Sequence, residues 1–210
     1  MRTLSQILVS VNSFVDLDAT LPVGDELTTR IDYANQAVWD AASEKQLPVF
    51  DQVYEVDPVA ASSVSMPSGF REFKTNPRQL VGGSWIEFPE IYPQEKYEKT
   101  SGERYCYVLG NPASGYTTHL NGLTANATLS FNYQAFPTGF ATLTDMCELP
   151  DPEYVVTKVE AYVLQARGDD RFPYVDAVAN AKLKSMVGRA AKSPGGQVVT
   201  ARKGFRNPLS

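Results

Sequence analysis

The spacing of apolar residues changes period twice along this 210-residue chain, and that limits the folds open to it. Leu4, Ile7, Leu8, Val11, Phe14 and Val15 recur at helical spacing, with Thr3 as the cap. Pro22 and Gly24 then break the chain. A second helix opens at Asp25, with Leu27, Ile31, Ala34, Val38 and Ala41 as its packed stripe and Thr28 and Arg30 beginning its exposed side. Its pattern stops at Leu47-Pro48, because proline disfavours helix at the preceding residue.

From residue 49 the rhythm approaches two. Val49 to Val56 alternates loosely, and Val64 to Phe70 reads as a short strand ending in a turn. Ser84 to Phe88, Tyr105 to Leu109 and Leu120 to Leu123 are further strands. Ala127 to Tyr133 is the clearest, with Ala127, Leu129, Phe131 and Tyr133 on one face. Together they predict one small antiparallel sheet, with Tyr92 to Glu103 as an exposed loop. Helical spacing returns after Asp151-Pro152, where Asp151 caps, Pro152 takes the first helical position and Glu153 favours the positive helix end. Tyr154, Val155, Val159, Tyr162, Val163 and Ala166 form that helix's stripe. A joint at Gly168-Asp169-Asp170 leads to a last helix carrying Val175 to Val187.

The expected class is therefore α+β. Two N-terminal helices (1–48) and two C-terminal helices (149–192) make a four-helix core, around an inserted β-rich region (49–148). An extended arm (193–210) follows. The hydrophobic share of 43% is sufficient for a packed interior. No run approaches the roughly 18 apolar residues of a membrane span. Met1 to Val15 lacks the continuous apolar block of a secretory signal, so the expected setting is inside a cell. Cys106 and Cys147 have no paired spacing and are expected to be reduced, buried thiols.

Charge is distributed unevenly. The stretch Gly188 to Ser210 contains Arg189, Lys192, Arg202, Lys203 and Arg206 and no carboxylate. Net charge is −5, so removing this +5 leaves −10 on the preceding residues. An acidic body with a basic, partly apolar tail suits attachment to an acidic groove on a partner. Residue patterns that carry chemistry are sparse by comparison. His119 is the only histidine and sits in a Thr-rich strand, which suits a surface or cross-strand role. Gly82-Gly83 and Gly195-Gly196 lack the spacing of a phosphate loop. Asp145, Glu148, Asp151 and Glu153 are the densest carboxylates, without the regular alternation of a calcium loop. Lys96 and Lys99 beside Tyr92 and Tyr97 suggest a stacking surface, but Glu90, Glu95, Glu98 and Glu103 cancel its field. No catalytic residue, metal site or cofactor is assigned.

Trp39-Asp40-Ala41-Ala42 closing an Ala-rich helix, followed by Val64-Ser65-Met66-Pro67-Ser68-Gly69-Phe70, resembles the head-to-tail adaptor (connector) proteins of tailed bacteriophages. The later block is similar too: Leu129 to Ala135, Leu143-Thr144-Asp145, then Glu148-Leu149-Pro150-Asp151-Pro152 entering a helix with Tyr and Ala. The likeness covers residues 20 to 190 in element order, with an insert, Phe73 to Gly122, longer than in the smallest all-helical adaptors. It implies a virion structural protein rather than an enzyme, assembled in the host cytoplasm. That protein forms a ring, usually of twelve copies, beneath the capsid portal. The ring prolongs the DNA channel without sequence-specific binding and meets the next tail component: a tube, nozzle or terminator. Membrane partners are not implied.

The resemblance also implies an arm docking on the portal protein, with Val198, Val199 and Phe205 as apolar anchors and Arg202, Lys203 and Arg206 as charge partners. Three other readings stay open. The chain could be a tail terminator or completion protein, a nucleic-acid binder acting through its basic tail, or a hydrolase assembled from dispersed acids around Asp145.

Overall fold

The computed structural model describes residues 1–44, 47–59 and 62–192. The candidate arm residues Val198, Val199, Arg202, Lys203, Phe205 and Arg206 lie outside that set. The protein is mixed α+β, with four α-helices and antiparallel sheets among the described residues. It divides into two compact units. Among the described residues, one joins Met1–Phe50 to the chain from Pro137 to Lys192, and the other contains Asp51–Phe136.

In the first unit, α1 (Leu4–Val15) is closed at its start by a reciprocal cap. Thr3 Oγ1 accepts from the Gln6 N–H, and Gln6 returns a side-chain oxygen to the Thr3 N–H. Leu4, Ile7, Leu8 and Val11 are fully buried, as helical spacing requires. In α2 (Gly24–Glu44) the buried face is Ala34, Ala37, Val38, Ala41 and Ala42, small side chains that allow close packing. The third helix, α3 (Pro152–Ala166), packs against α1, α2 and α4 (Phe172–Lys192). Three neighbours explain why its burial extends beyond one stripe to Val156, Thr157, Glu160, Ala161 and Leu164. Ala166, expected inside, is exposed at the helix end. On α4, Val175, Ala179, Leu183 and Met186 are buried, and Lys158 of α3 pairs with Asp176 at 2.7 Å.

Arg30 is a correction. Expected on the exposed side of α2, it is 1% exposed. Its guanidinium donates to Asn12, Asp16 and Glu26, and Arg167 bonds the same two carboxylates from the end of α3. Two acids and an amide offset its desolvation, which allows a cation into the packed region.

Residues 137–148, expected within the β-rich insert, belong to the helical unit. The Leu4 and Ser5 N–H groups at the open end of α1 donate to Asp145 and Leu143 carbonyls at 2.9 and 3.0 Å. Asn35 of α2 accepts from the Phe140 N–H at 2.6 Å and donates to the Phe140 carbonyl at 3.2 Å. Gly139 beside it has φ +77°, and a Cβ there would lie 2.7 Å from Asn35 Oδ1. Asn35→Ala leaves both Phe140 groups unpaired. It should cost about 2 kcal/mol and lower the melting midpoint by about 4–8 °C in a thermal melt.

Among the described residues the second unit contains two sheets where one was expected. In the larger, β8 (Ala127–Ala135) is central. On one side it pairs with β1 (Asp51–Val59); it also pairs with β3 (Phe70–Phe73) and with β4 (Arg78–Val81), whose partner is β5 (Ser84–Glu87). The smaller sheet runs β2 (Ser63–Ser65), β7 (Gly115–Asn121), β6 (Tyr105–Asn111). Leu120 to Leu123, read as a strand in itself, is only the end of β7 and the turn beyond it. The two sheets share one core. Val64, Met66, Cys106 and Leu120 from the smaller meet Leu129, Phe131 and Tyr133 from the larger, and Phe70 lies edge-on to Tyr116. Gly110 permits the tight β6–β7 pairing: a Cβ there would lie 2.1 Å from the Gly115 carbonyl oxygen.

Candidate docking surfaces

The residues singled out by sequence have ordinary structural duties. His119 is directly across from Tyr107, and the rings stack at 5.0 Å and 11°. Lys96 lies over the rings of Tyr97 and Tyr107, so these aromatics engage a local cation, while Tyr92 and Tyr97 remain exposed. The four carboxylates around residue 150 work separately. Asp145 accepts from the Ala141 and Thr142 N–H groups and the Thr142 hydroxyl, which holds its pKa below the usual range. Glu148 takes the Thr138 N–H; Asp151 caps α3 and pairs with Arg189; Glu153 pairs with Arg2. Among the described residues no group of three or more His, Cys, Asp or Glu is arranged to hold a metal ion. Asp169 is bound by Arg171 and its pKa falls to about 2.

The two thiols are buried in different units, and neither is in a disulfide. Burial pushes Cys106 to about 12 and Cys147 to about 11, so neither is a nucleophile at neutral pH.

What the structure presents instead is surface on the β unit. The pairing of Arg78 with Glu87 and Leu80 with Trp85 sets all four on one face of the β4–β5 hairpin. Trp85 and Leu80 are 45% and 40% exposed, and the Arg78 guanidinium lies 4.6 Å above the indole. Exposed Trp with adjacent Arg is the composition of an interface anchor. Ser84 to Phe88 reads as a strand from sequence, but its partner β4 does not, because β4 is four residues long and its inward residue is polar. Gln79 is buried and spends its amide on the Thr124 N–H and carbonyl. A nearby groove, lined by Glu72, Phe73, Glu90, Ile91, Tyr92 and Glu95, is acidic. Burial, then repulsion from Glu72, raises the Glu90 pKa.

The third feature is an edge. β1 ends its sheet, and its side chains alternate: Tyr54 and Val56 pack on the core with the exposed Gln52 at the rim of the same face, while Val53, Glu55 and Asp57 lie outward. Tyr54 packs on Phe131 at 5.3 Å, and Gln52 accepts from the Tyr133 hydroxyl at 2.7 Å.

In the helical unit, Arg189 is committed to Asp151 at 2.9 Å within α4's own surroundings. The expected basic stretch is therefore divided. Arg189 and Lys192 belong to a helix, and Arg202, Lys203 and Arg206 follow it. No described helix is long and apolar enough to cross a membrane. Compared with protein-family models and with curated proteins, the chain matches none.

Proposed function

We propose that this chain is a head-to-tail adaptor of a tailed bacteriophage, a structural subunit of the virion. Copies form a ring, twelve by the resemblance, that joins the capsid portal to the next tail component and extends the DNA channel. The observation that carries the reading is the arrangement of the chain. Its first two and last two helices pack in one unit, with a compact β unit spliced between them. A basic segment without carboxylates continues beyond α4. We read the helical unit as a four-helix core completed from both ends of the chain. Such a core holds a ring subunit rigid while the β unit and the arm face neighbours. Head-to-tail contacts between identical subunits close into a ring when the rotation allows it, and many modest contacts then act together. The net negative charge lets DNA pass without adhering.

On this reading Val198, Val199 and Phe205 anchor the arm, and Arg202, Lys203 and Arg206 pair with acidic groups of the portal protein. Deleting residues 194–210 should leave cooperative unfolding intact, with the midpoint shifted by no more than about 2 °C. Cosedimentation with portal rings should be lost. Collapse of the unfolding transition on deletion would make the segment part of the body's core and overturn this account of it.

A further inference from the structure

A nine-residue edge strand invites pairing through the outward row of its N–H and C=O groups. Among the described residues, no backbone group of Gln52 to Val56 bonds to anything other than β8. This edge is guarded in a particular way. Its outer face carries Glu55 and Asp57, its pairing with β8 slips between Val56 and Val59, and Pro58 supplies no N–H. Two such edges would bring like charges together, so β1 rejects a second β1. A strand carrying bases and no acids would be accepted.

The sequence supplies a segment of that composition. Val198-Val199-Thr200-Ala201-Arg202 has no acid and no proline, after a Ser193-Pro194-Gly195-Gly196-Gln197 lead-in. Aligned parallel, Val198 falls beside Val53, Thr200 beside Glu55 and Arg202 beside Asp57 on the outer face. Val199 and Ala201 then extend the inner face formed by Tyr54 and Val56. Antiparallel alignment with Arg202 opposite Glu55 would put Lys203 beside the apolar Tyr54, whereas the parallel one puts it at the strand's end, level with position 58.

We infer that the free edge of β1 receives residues 198–202 of a neighbouring copy as an added parallel strand. This rests on the ring reading. An arm and an acceptor edge on one chain are the two halves of a head-to-tail contact, and main-chain bonds supply its strength while alternate side chains supply register. Val198, Val199 and Arg202 are then engaged by the neighbouring copy instead of the portal protein, which is left to Lys203, Phe205 and Arg206.

The test uses the full-length chain. One preparation carries Val53→Cys, another Val198→Cys, and they are mixed with a short thiol crosslinker. The native thiols are buried and have raised pKa values, so background labelling is low. The expected result is a crosslinked dimer from the mixture. Its yield should fall about tenfold with Glu55→Lys and Asp57→Lys in the acceptor, and should fall with excess peptide matching residues 197–206. In a third preparation carrying both substitutions on one chain, a crosslink confined within single chains would overturn the inference in favour of the chain's own edge. Absence of crosslinking in preparations whose measured mass is that of a ring would refute the strand addition and leave the ring intact. Absence of both crosslink and assembly would remove both.

Discussion

Replacing Arg30 with Met should lower stability by about 3 kcal/mol and the melting midpoint by about 6–12 °C. Methionine fills much of the same volume, so the loss measures the charge network rather than a cavity. Arg30 is fully enclosed, and its donors serve Asn12, Asp16 and Glu26 at once. Without it, Asn12, itself buried, keeps a carbonyl with no donor, and two carboxylates share Arg167 alone. Glu26→Gln should cost far less, under about 1 kcal/mol, because Glu26 is half exposed and water replaces its partner. Contacts with Arg167 first, and with Arg30, hold the Asp16 pKa below its ordinary value. The network's stabilisation is therefore present above the unfolded carboxylate pKa and is lost as pH falls through the folded one. Chemical unfolding of the two variants at pH 7 and pH 3 checks the ranking and the pH direction.

Glu160→Gln should do the reverse and stabilise the protein at alkaline pH. Glu160 is buried on α3, and burial raises its pKa to about 7, with Glu153 adding repulsion and Lys182 opposing the rise. Lys182 Nζ is spent on Thr157 Oγ1 at 2.7 Å and the Glu153 carbonyl at 3.3 Å. For a carboxyl whose folded pKa exceeds its unfolded value, the folded state holds the proton more tightly. Stability is full below the unfolded pKa of about 4.5 and declines as pH rises toward 7. The decline should reach about 3 kcal/mol at most. The glutamine variant should match the parent near pH 4.5 and exceed it by about 2 kcal/mol at pH 8. Equal pH profiles for the two proteins would mean that Glu160 is solvated.

The elements readable from sequence are those whose signals are local. Thr3 and Gln6 announce the start of α1, and Asp151-Pro152 the start of α3, because capping joins residues within one turn. The strict alternation of Ala127 to Tyr133 belongs to the strand on which the larger sheet is built. Non-local pairings were hidden. Arg30 reads as surface until Asn12 and Asp16, on another element, are brought to it, although Glu26 one turn earlier was a signal. β3 and β4 are short, carry polar residues inward or at their ends, and gain order mainly from β8. Residues 137–148 have strand-like composition but are held by Asn35, more than a hundred positions away in sequence. Of the docking features, only the loose alternation of Val49 to Val56 was legible; that Glu55 and Asp57 share an outer face follows from the pairing with β8. That the strand is an edge follows only from the sheet order.

The most direct test of the adaptor reading is an image of particles formed by the full-length chain with portal rings, averaged without imposed symmetry. The account predicts a closed ring of this protein seated on the portal, one copy per angular repeat, around an open central channel. Isolated monomers beside bare portals, or density found only at the end of a tail tube, would contradict it.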